Sequence, residues 1–226
     1  MIRILFSIVI ALVIPFVAGC SVFAFGGSMM QAHEDQKKIE KYAEYNLEGK
    51  MVAVVIDTDL AVHYEHPGIS NLIAEAVAGR IAKFAKDVRV INPSAIASWQ
   101  FETPQWTAMP TTEIAKSLNA DCVIYIDLLE YRLTPPGNQW LWEAQCSATI
   151  GIIEADSFEQ DGFAETFDIT ATFPKRPSVL SHEEAEEADI ERGLLNEFIK
   201  QTAWLFYFHI EPKHPDRFRP ELESAT

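Results

Sequence analysis

Residues 122–129, CVIYIDLL, and residues 140–153, WLWEAQCSATIGII, flank Pro135-Pro136-Gly137-Asn138, and the short gap between them decides the fold. The first stretch is nearly all apolar, rich in β-branched residues, and reads as a buried strand. The second alternates. Trp142, Ala144, Cys146, Ala148, Ile150 and Ile152 fall on one face, and Glu143, Gln145, Ser147 and Thr149 on the other, which therefore meets solvent at least in part. A parallel return would need a crossover of a dozen or more residues. Only a turn cluster stands here, so the two strands form an antiparallel hairpin.

Working outward toward the amino terminus, residues 51–57, MVAVVID, read as another strand buried on both faces. His66-Pro67-Gly68 breaks the chain, and a helix starts near Gly68 or Ser70. Its apolar stripe is Ile69, Leu72, Ile73, Ala76, Val77, Ile81 and Phe84, at three-and-four spacing. Residues 88–91, VRVI, are a short strand. Asn92-Pro93 opens a turn or two of helix to about Trp99, residues 100–109 read as loop, and residues 110–118 as a helix stopped by Asn119. Strand–helix–strand–helix–strand with right-handed crossovers gives a parallel sheet covered by helices.

Toward the carboxyl terminus, residues 165–173 alternate Phe167, Ile169, Ala171 and Phe173 with polar neighbours, as an edge strand does. Ser181 and Glu184 have the spacing of a capping box, which predicts a long helix to about Tyr207. Residues 203–210, AWLFYFHI, are apolar on every side of its end; core burial is the first reading, and a partner or membrane contact the alternative. The predicted fold class is α/β. A mixed five-stranded sheet, three parallel strands plus an antiparallel hairpin and edge, is packed with helices and closed by a long C-terminal helix.

The hairpin also bears on the cysteines. A turn centred near residues 136–137 sets Cys146 close to Asp127, with Cys122 further along, so the two thiols are about 17 Å apart. That is beyond disulfide reach, and both read as small buried residues.

The chain of 226 residues carries 48% hydrophobic residues and a formal charge of −15. The apolar content suffices for a real core and excludes wholesale disorder. The acidity argues against nucleic acid as a partner, because phosphate affinity rests on lysine and arginine. At the start, Arg3 precedes an apolar run over residues 4–17 that ends in Val17-Ala18-Gly19-Cys20. These are the parts of an export signal. The last four residues resemble the lipobox of bacterial lipoproteins: an aliphatic residue, two small ones, and the cysteine that takes diacylglycerol. The resemblance implies cleavage between Gly19 and Cys20, lipidation of Cys20, and anchorage in the cell envelope. Ser21, rather than an aspartate, implies the outer membrane facing the periplasm. An uncleaved anchor is the competing reading, because apolar character continues to Phe25; Pro15 and the nearby glycines weigh against it.

The expected organisation is a signal peptide over 1–19 and a lipidated cysteine with polar tether over 20–49, helical around residues 35–45. A single α/β domain over 50–210 and a flexible tail over 211–226 follow. The order of elements, with IAKSLNADCVIYIDL over residues 114–128 as its most specific piece, resembles the α/β domain of three groups. These are curli-secretion-type lipoproteins, lipoprotein activators of penicillin-binding proteins, and the amino-terminal domain of the Tol-system propeller protein. Those families usually place glycine where Asn119 stands, and another near Leu128-Leu129-Glu130. Such relatives work by binding and assembly, so the resemblance implies partners among envelope proteins or self-association, and no cofactor.

Two constellations bear on chemistry. Asp57 and Asp59 close the first strand, and His63 and His66 follow, a set from which a metal-dependent hydrolase or metal-binding site could be built. No serine stands in a nucleophile-elbow context, and the pattern around Asp57 lacks the glycine and threonine of an aspartate-dependent phosphatase. The aromatics offer a different surface. Trp99, Trp106 and Trp140 sit in or beside loops and the hairpin tip, where aromatic rings serve as contact anchors. The first expectation is thus a non-enzymatic, membrane-anchored accessory protein; the metal-dependent hydrolase is the alternative.

Overall fold

A computed structural model of the chain describes residues 34–138, 140–158, 161–175, 180–215 and 217. Val17, Ala18, Gly19 and Cys20 lie outside the described residues. Two compact units are present. The larger is Tyr42–His209, and the smaller comprises the described parts of Met1–Lys41 and Ile210–Thr226.

In the smaller unit, Lys38–Lys41 is a strand, β1, rather than the helix expected near residues 35–45. Its partner is β9 (His209–Pro212), which enters this unit at Ile210 and whose last two residues stand where a flexible tail is expected. Lys213 bridges this ribbon by donating to Glu34 at 2.5 Å and, through its backbone N–H, to the Lys37 carbonyl at 2.8 Å.

The larger unit contains a five-stranded sheet. Its members are β2 (Met51–Thr58), β3 (Arg89–Val90), β4 (Cys122–Arg132), β6 (Ala144–Glu154) and β7 (Glu165–Phe173), in the spatial order β3-β2-β4-β6-β7. The first three run parallel and the last two antiparallel to their neighbours, as predicted. Val52, Val54 and Ile56 turn to one face and Ala53 and Val55 to the other, all buried. That is why the run lacks alternation.

On the first face lie α2 (Ile69–Phe84) and α5 (Glu187–Trp204), which cover the main core of Ile73, Val77, Ile81, Leu194 and Phe198 with Cys122, Cys146, Ile150 and Ile152. The predicted stripe on α2 holds at Ile69, Ile73, Val77 and Ile81. Phe84 and Leu72 are exposed instead. Tyr45 and Leu47, within the stretch read as tether, are buried in this same core. The second face is half-covered by α3 (Pro93–Glu102), a 3-10 turn (Trp106–Ala108) and α4 (Thr111–Ser117), around a smaller core of Ile96, Trp106, Ile114, Val123 and Ile153. The helix at Pro93 is longer than expected, and the loop after it carries the 3-10 turn.

Two positions where the resembling families carry glycine have local explanations here. Asn119 takes the left-handed conformation, φ 51°, while Ala120 N–H reaches the Ala115 carbonyl and Asn119 N–H that of Lys116. This is a Schellman ending, with asparagine in the position usually given to glycine. At Leu129 the ladder between β4 and β6 slips by one residue, and the bulge turns Leu129 outward at 57% exposure.

The bulge and a longer turn also move the hairpin register. Cys146 stands opposite Tyr131, well past Asp127, and Cys122 opposite Glu154. The thiols are further apart than expected, and both are free and buried; burial pushes the Cys122 thiol up to about 11. The stretch expected as one strand over 140–153 is two. β5 (Leu141–Trp142) leaves the sheet to pair with β8 (Leu180–Ser181). Glu143 causes the break: its N–H donates to the Leu133 carbonyl, and its own carbonyl takes Arg132 Nη1 at 2.8 Å. Ser181 and Glu184 do bond, through Ser181 N–H and hydroxyl to the Glu184 carboxylate at 2.8 and 2.9 Å. They close a turn after β8, however, and α5 starts later, at Glu187.

Candidate functional site

Asp57, Asp59, His63 and His66 do not converge. Asp57 points to the second face, where its carboxylate accepts from the Tyr125 hydroxyl at 2.8 Å and from Thr58 N–H at 2.9 Å. Asp59 caps a short helix, α1 (Leu60–Glu65), by accepting from Ala61 N–H at 2.8 Å. Asx capping of this kind needs no ligand. His63 is exposed on that helix beside Tyr64. His66 lies edge-on to the Tyr131 ring, centroids 4.6 Å apart, and Tyr131 belongs to the core on the first face. The sheet itself therefore separates Asp57 from His66. Among the described residues no group of three histidine, cysteine or acidic side chains could hold a metal ion.

What the register does assemble is a row on the second face: Asp57 beside Asp127, Asp127 beside Thr149, and Thr149 beside Asp168. The Thr149 hydroxyl donates to Asp168 at 2.9 Å. Burial, and then the charge of Asp57, raise the Asp127 carboxyl above its usual 3.8. Asp127 and Asp168 could have been found in the sequence only with the correct register, because their strands are distant along the chain.

The hairpin end is built on a fixed turn. Gly137 takes φ 77°, a conformation that glycine supplies at little cost. Asn138 N–H donates to the Pro135 carbonyl, and the Asn138 side chain accepts from Trp140 N–H at 2.9 Å. The Trp140 carbonyl accepts from His182 N–H. Arg132, itself little exposed, fastens the base of the hairpin: Nε donates to Glu130 at 2.8 Å, Nη2 to Gln145 at 3.0 Å, and Nη1 to the carbonyls of Thr134 and Glu143. Sequence reading missed this residue, because nothing in the order of residues marks it.

The tryptophans separate clearly on this frame. Trp142 is 7% exposed; it stacks on His182 with centroids 3.8 Å apart, and its Nε1–H donates to the Ala185 carbonyl at 2.9 Å. Trp140 is 80% exposed, its backbone held at both ends. Trp106 is buried in the smaller core against Tyr125 and Trp99. Trp99 is half-buried there, so of the three tryptophans singled out for contact only Trp140 offers a whole ring.

Among the described residues no helix is long and apolar enough to cross a membrane. No protein-family model and no curated protein sequence matches the chain. Solved structures do overlap with it. A PelC dodecamer from Paraburkholderia phytofirmans matches with a TM-score of 0.42 at 13% identity, over 76% of this chain and 97% of that one. The lipoprotein GNA1162 from Neisseria meningitidis matches with a TM-score of 0.43 at 10% identity, over 68% and 97%. An uncharacterized lipoprotein B from Nitrosomonas europaea matches with a TM-score of 0.35 at 11% identity, over 73% and 86%. At that level of overlap these neighbours do not establish the three families named from sequence shape, and they say nothing of what this chain binds.

Proposed function

We propose that the chain is a lipid-anchored protein of the bacterial envelope, held by a lipid on Cys20 at the periplasmic side of the outer membrane. It binds another envelope protein through the hairpin end at Trp140 and performs no chemistry of its own. Val17-Ala18-Gly19-Cys20 supports the anchor. The observation that carries the binding role is Trp140, 80% exposed on a turn fixed by Asn138, His182 and Arg132. A large ring on a backbone already held in place brings much area to a contact at little cost in backbone freedom, the profile of a contact anchor.

Two measurements test the reading. Cys20→Ala should abolish incorporation of a fatty-acid label and release the protein from sedimented membranes; a labelled, sedimenting variant sinks the anchor. Crosslinking in intact envelopes followed by pull-down should give partner adducts that Trp140→Ala loses. Equal capture by that variant places the partner surface elsewhere.

A further inference from the structure

Residues 203–210, apolar on all sides, are only partly absorbed by the core. Phe206 and Tyr207 are buried, whereas Phe208 is 49% exposed. Around them rings meet in pairs at the end of the larger unit where β2 begins. Tyr42 and Phe208 have centroids 5.6 Å apart, Phe84 and Tyr207 5.3 Å, and Trp204 stacks on His209 at 4.2 Å. Tyr42 is 73% exposed and Phe84 51%. Two lysines lie over the outer rings: Lys83 Nζ is 4.9 Å from the Phe84 centroid and Lys200 Nζ 4.9 Å from that of Trp204.

We propose that this aromatic end, Tyr42, Phe84, Trp204 and Phe208 with Lys83 and Lys200, rests on the phospholipid surface of the membrane that holds the anchor. The inference rests on the lipid-anchor reading above. Tyrosine and tryptophan favour the boundary between headgroups and acyl chains, where one side of the ring is apolar and the other wet. Lys83, lying along the Phe84 ring, can extend its ammonium to the phosphates while its stem stays among apolar groups. The place of entry of the chain gives the second argument. Tyr42 is the first residue of the larger unit, so the chain arriving from Cys20 joins the unit on the patch itself. Only residues 21–33 separate Cys20 from the first described residue of the smaller unit, at most roughly 45 Å when fully extended. Tethering at that point keeps the patch close to the bilayer, so a weak interfacial preference is enough to seat it.

Charge decides which surface. Lys86 is paired with Glu48 at 2.6 Å and Lys200 with Glu197 at 2.5 Å, and Glu44 and Asp87 are exposed nearby. The patch carries no marked excess of positive charge, so its seat is zwitterionic lipid, and seating is insensitive to salt. The hairpin is at the opposite end of β4, roughly 30 Å away by strand rise. Seating the rings on lipid therefore presents Trp140 away from the membrane.

The test uses the full-length lipidated protein in liposomes of phosphatidylcholine and phosphatidylethanolamine with brominated acyl chains, which quench nearby tryptophan. The contribution of Trp204 is the difference between wild type and Trp204→Phe; that of Trp140 is the difference from Trp140→Phe. Bromine should quench the Trp204 contribution, leave that of Trp140 intact, and give the same result in high salt. A Tyr42→Ser/Phe208→Ser variant, changed only at outward-facing rings, should lose most of the Trp204 quenching while melting like wild type. A protein that carries the lipid label yet shows Trp204 unquenched, or Trp140 quenched in its place, overturns the seating and leaves the anchor standing. A protein without lipid label overturns the anchor, and this proposal with it. A photocrosslinker at position 208 that captures protein instead of lipid assigns the patch to a protein partner and overturns the proposal.

Discussion

The two ends of the sheet expose aromatic rings for different reasons. At the hairpin end a single ring, Trp140, is held outside the core by backbone bonds at a turn, while its neighbour Trp142 carries the packing. At the other end several rings touch one another, and Tyr42, Phe84 and Phe208 are exposed because they extend a core that ends at Tyr207. The first arrangement suits a selective contact, one anchor on one fixed turn. The second suits a surface without fixed partners, where area matters more than register. The division of labour at the hairpin end is the easiest to break. Trp142→Ala removes a buried ring, its stack on His182 and its bond to the Ala185 carbonyl, and should cost about 3–5 kcal/mol. Denaturant unfolding measures it; a loss below about 1 kcal/mol would mean that β5 and β8 are not held by this ring.

At the opposite end, polar groups close the sheet beneath the rings. The Tyr45 hydroxyl donates to Glu154, and Lys50 donates to both, at 2.8 Å to Tyr45 and 3.0 Å to Glu154. These two partners hold the Glu154 carboxyl below its ordinary 4.5, the Tyr45 hydroxyl first and Lys50 second. A depressed carboxyl adds stability that is present above pH 4.5 and is lost as pH falls through the folded value. Tyr45→Phe should therefore cost about 1 kcal/mol near neutrality, and less below pH 4.5. Unfolding curves at several pH values check this; a cost that does not shrink in acid assigns the effect to packing of the ring alone.

The order of elements was legible because its signals are local. The unbroken β-branched run at 51–57, the stripe from Ile69 to Ile81 and the turn at Pro135–Asn138 each need only a short window. The hairpin register was not legible. It depends on a bulge at Leu129 and on the guanidinium of Arg132, neither of which alters the alternation of residues around it. The same limit hid the row of Asp57, Asp127 and Asp168, assembled across three strands by that register. Asp57 and His66 were near each other in sequence but lie on opposite faces of the sheet, because Asp57 shares the side of Ala53 and Val55 on β2 while His66 packs on Tyr131 of the other face. Among the tryptophans, proximity to a turn placed Trp140 at the surface. It did not separate it from Trp106, which the 3-10 turn folds inward.

The hidden row gives a smaller effect of opposite sign to that at Glu154. Because the Asp127 carboxyl is raised above 3.8, by burial first and by Asp57 second, its ionised form costs stability, and the cost appears as pH rises through the folded value. Asp127→Asn should stabilise the protein near neutrality, by no more than about 1 kcal/mol given its partial exposure. The gain should vanish below pH 3.8, where both forms are neutral. A variant less stable at neutral pH would show that the carboxylate, not its neutral form, is what the strand end requires.

The smallest expected change in stability tests the comparison most sharply. Trp140→Ala removes as large a side chain as Trp142→Ala, from a position only two residues away. If burial alone sets the cost, the two variants should differ by almost the whole packing contribution of a tryptophan. Trp140 gives the turn only its backbone groups: its N–H to Asn138 and its carbonyl to His182 N–H. Alanine retains both. The ring is 80% exposed, so its removal returns little apolar surface to water, and the change should stay within about 0.5 kcal/mol. Paired unfolding measurements on Trp140→Ala and Trp142→Ala read the difference directly. Comparable losses would mean that the ring at 140 packs onto the hairpin in solution. The turn would then have no free anchor to offer, and the binding role assigned to this end would fall with it.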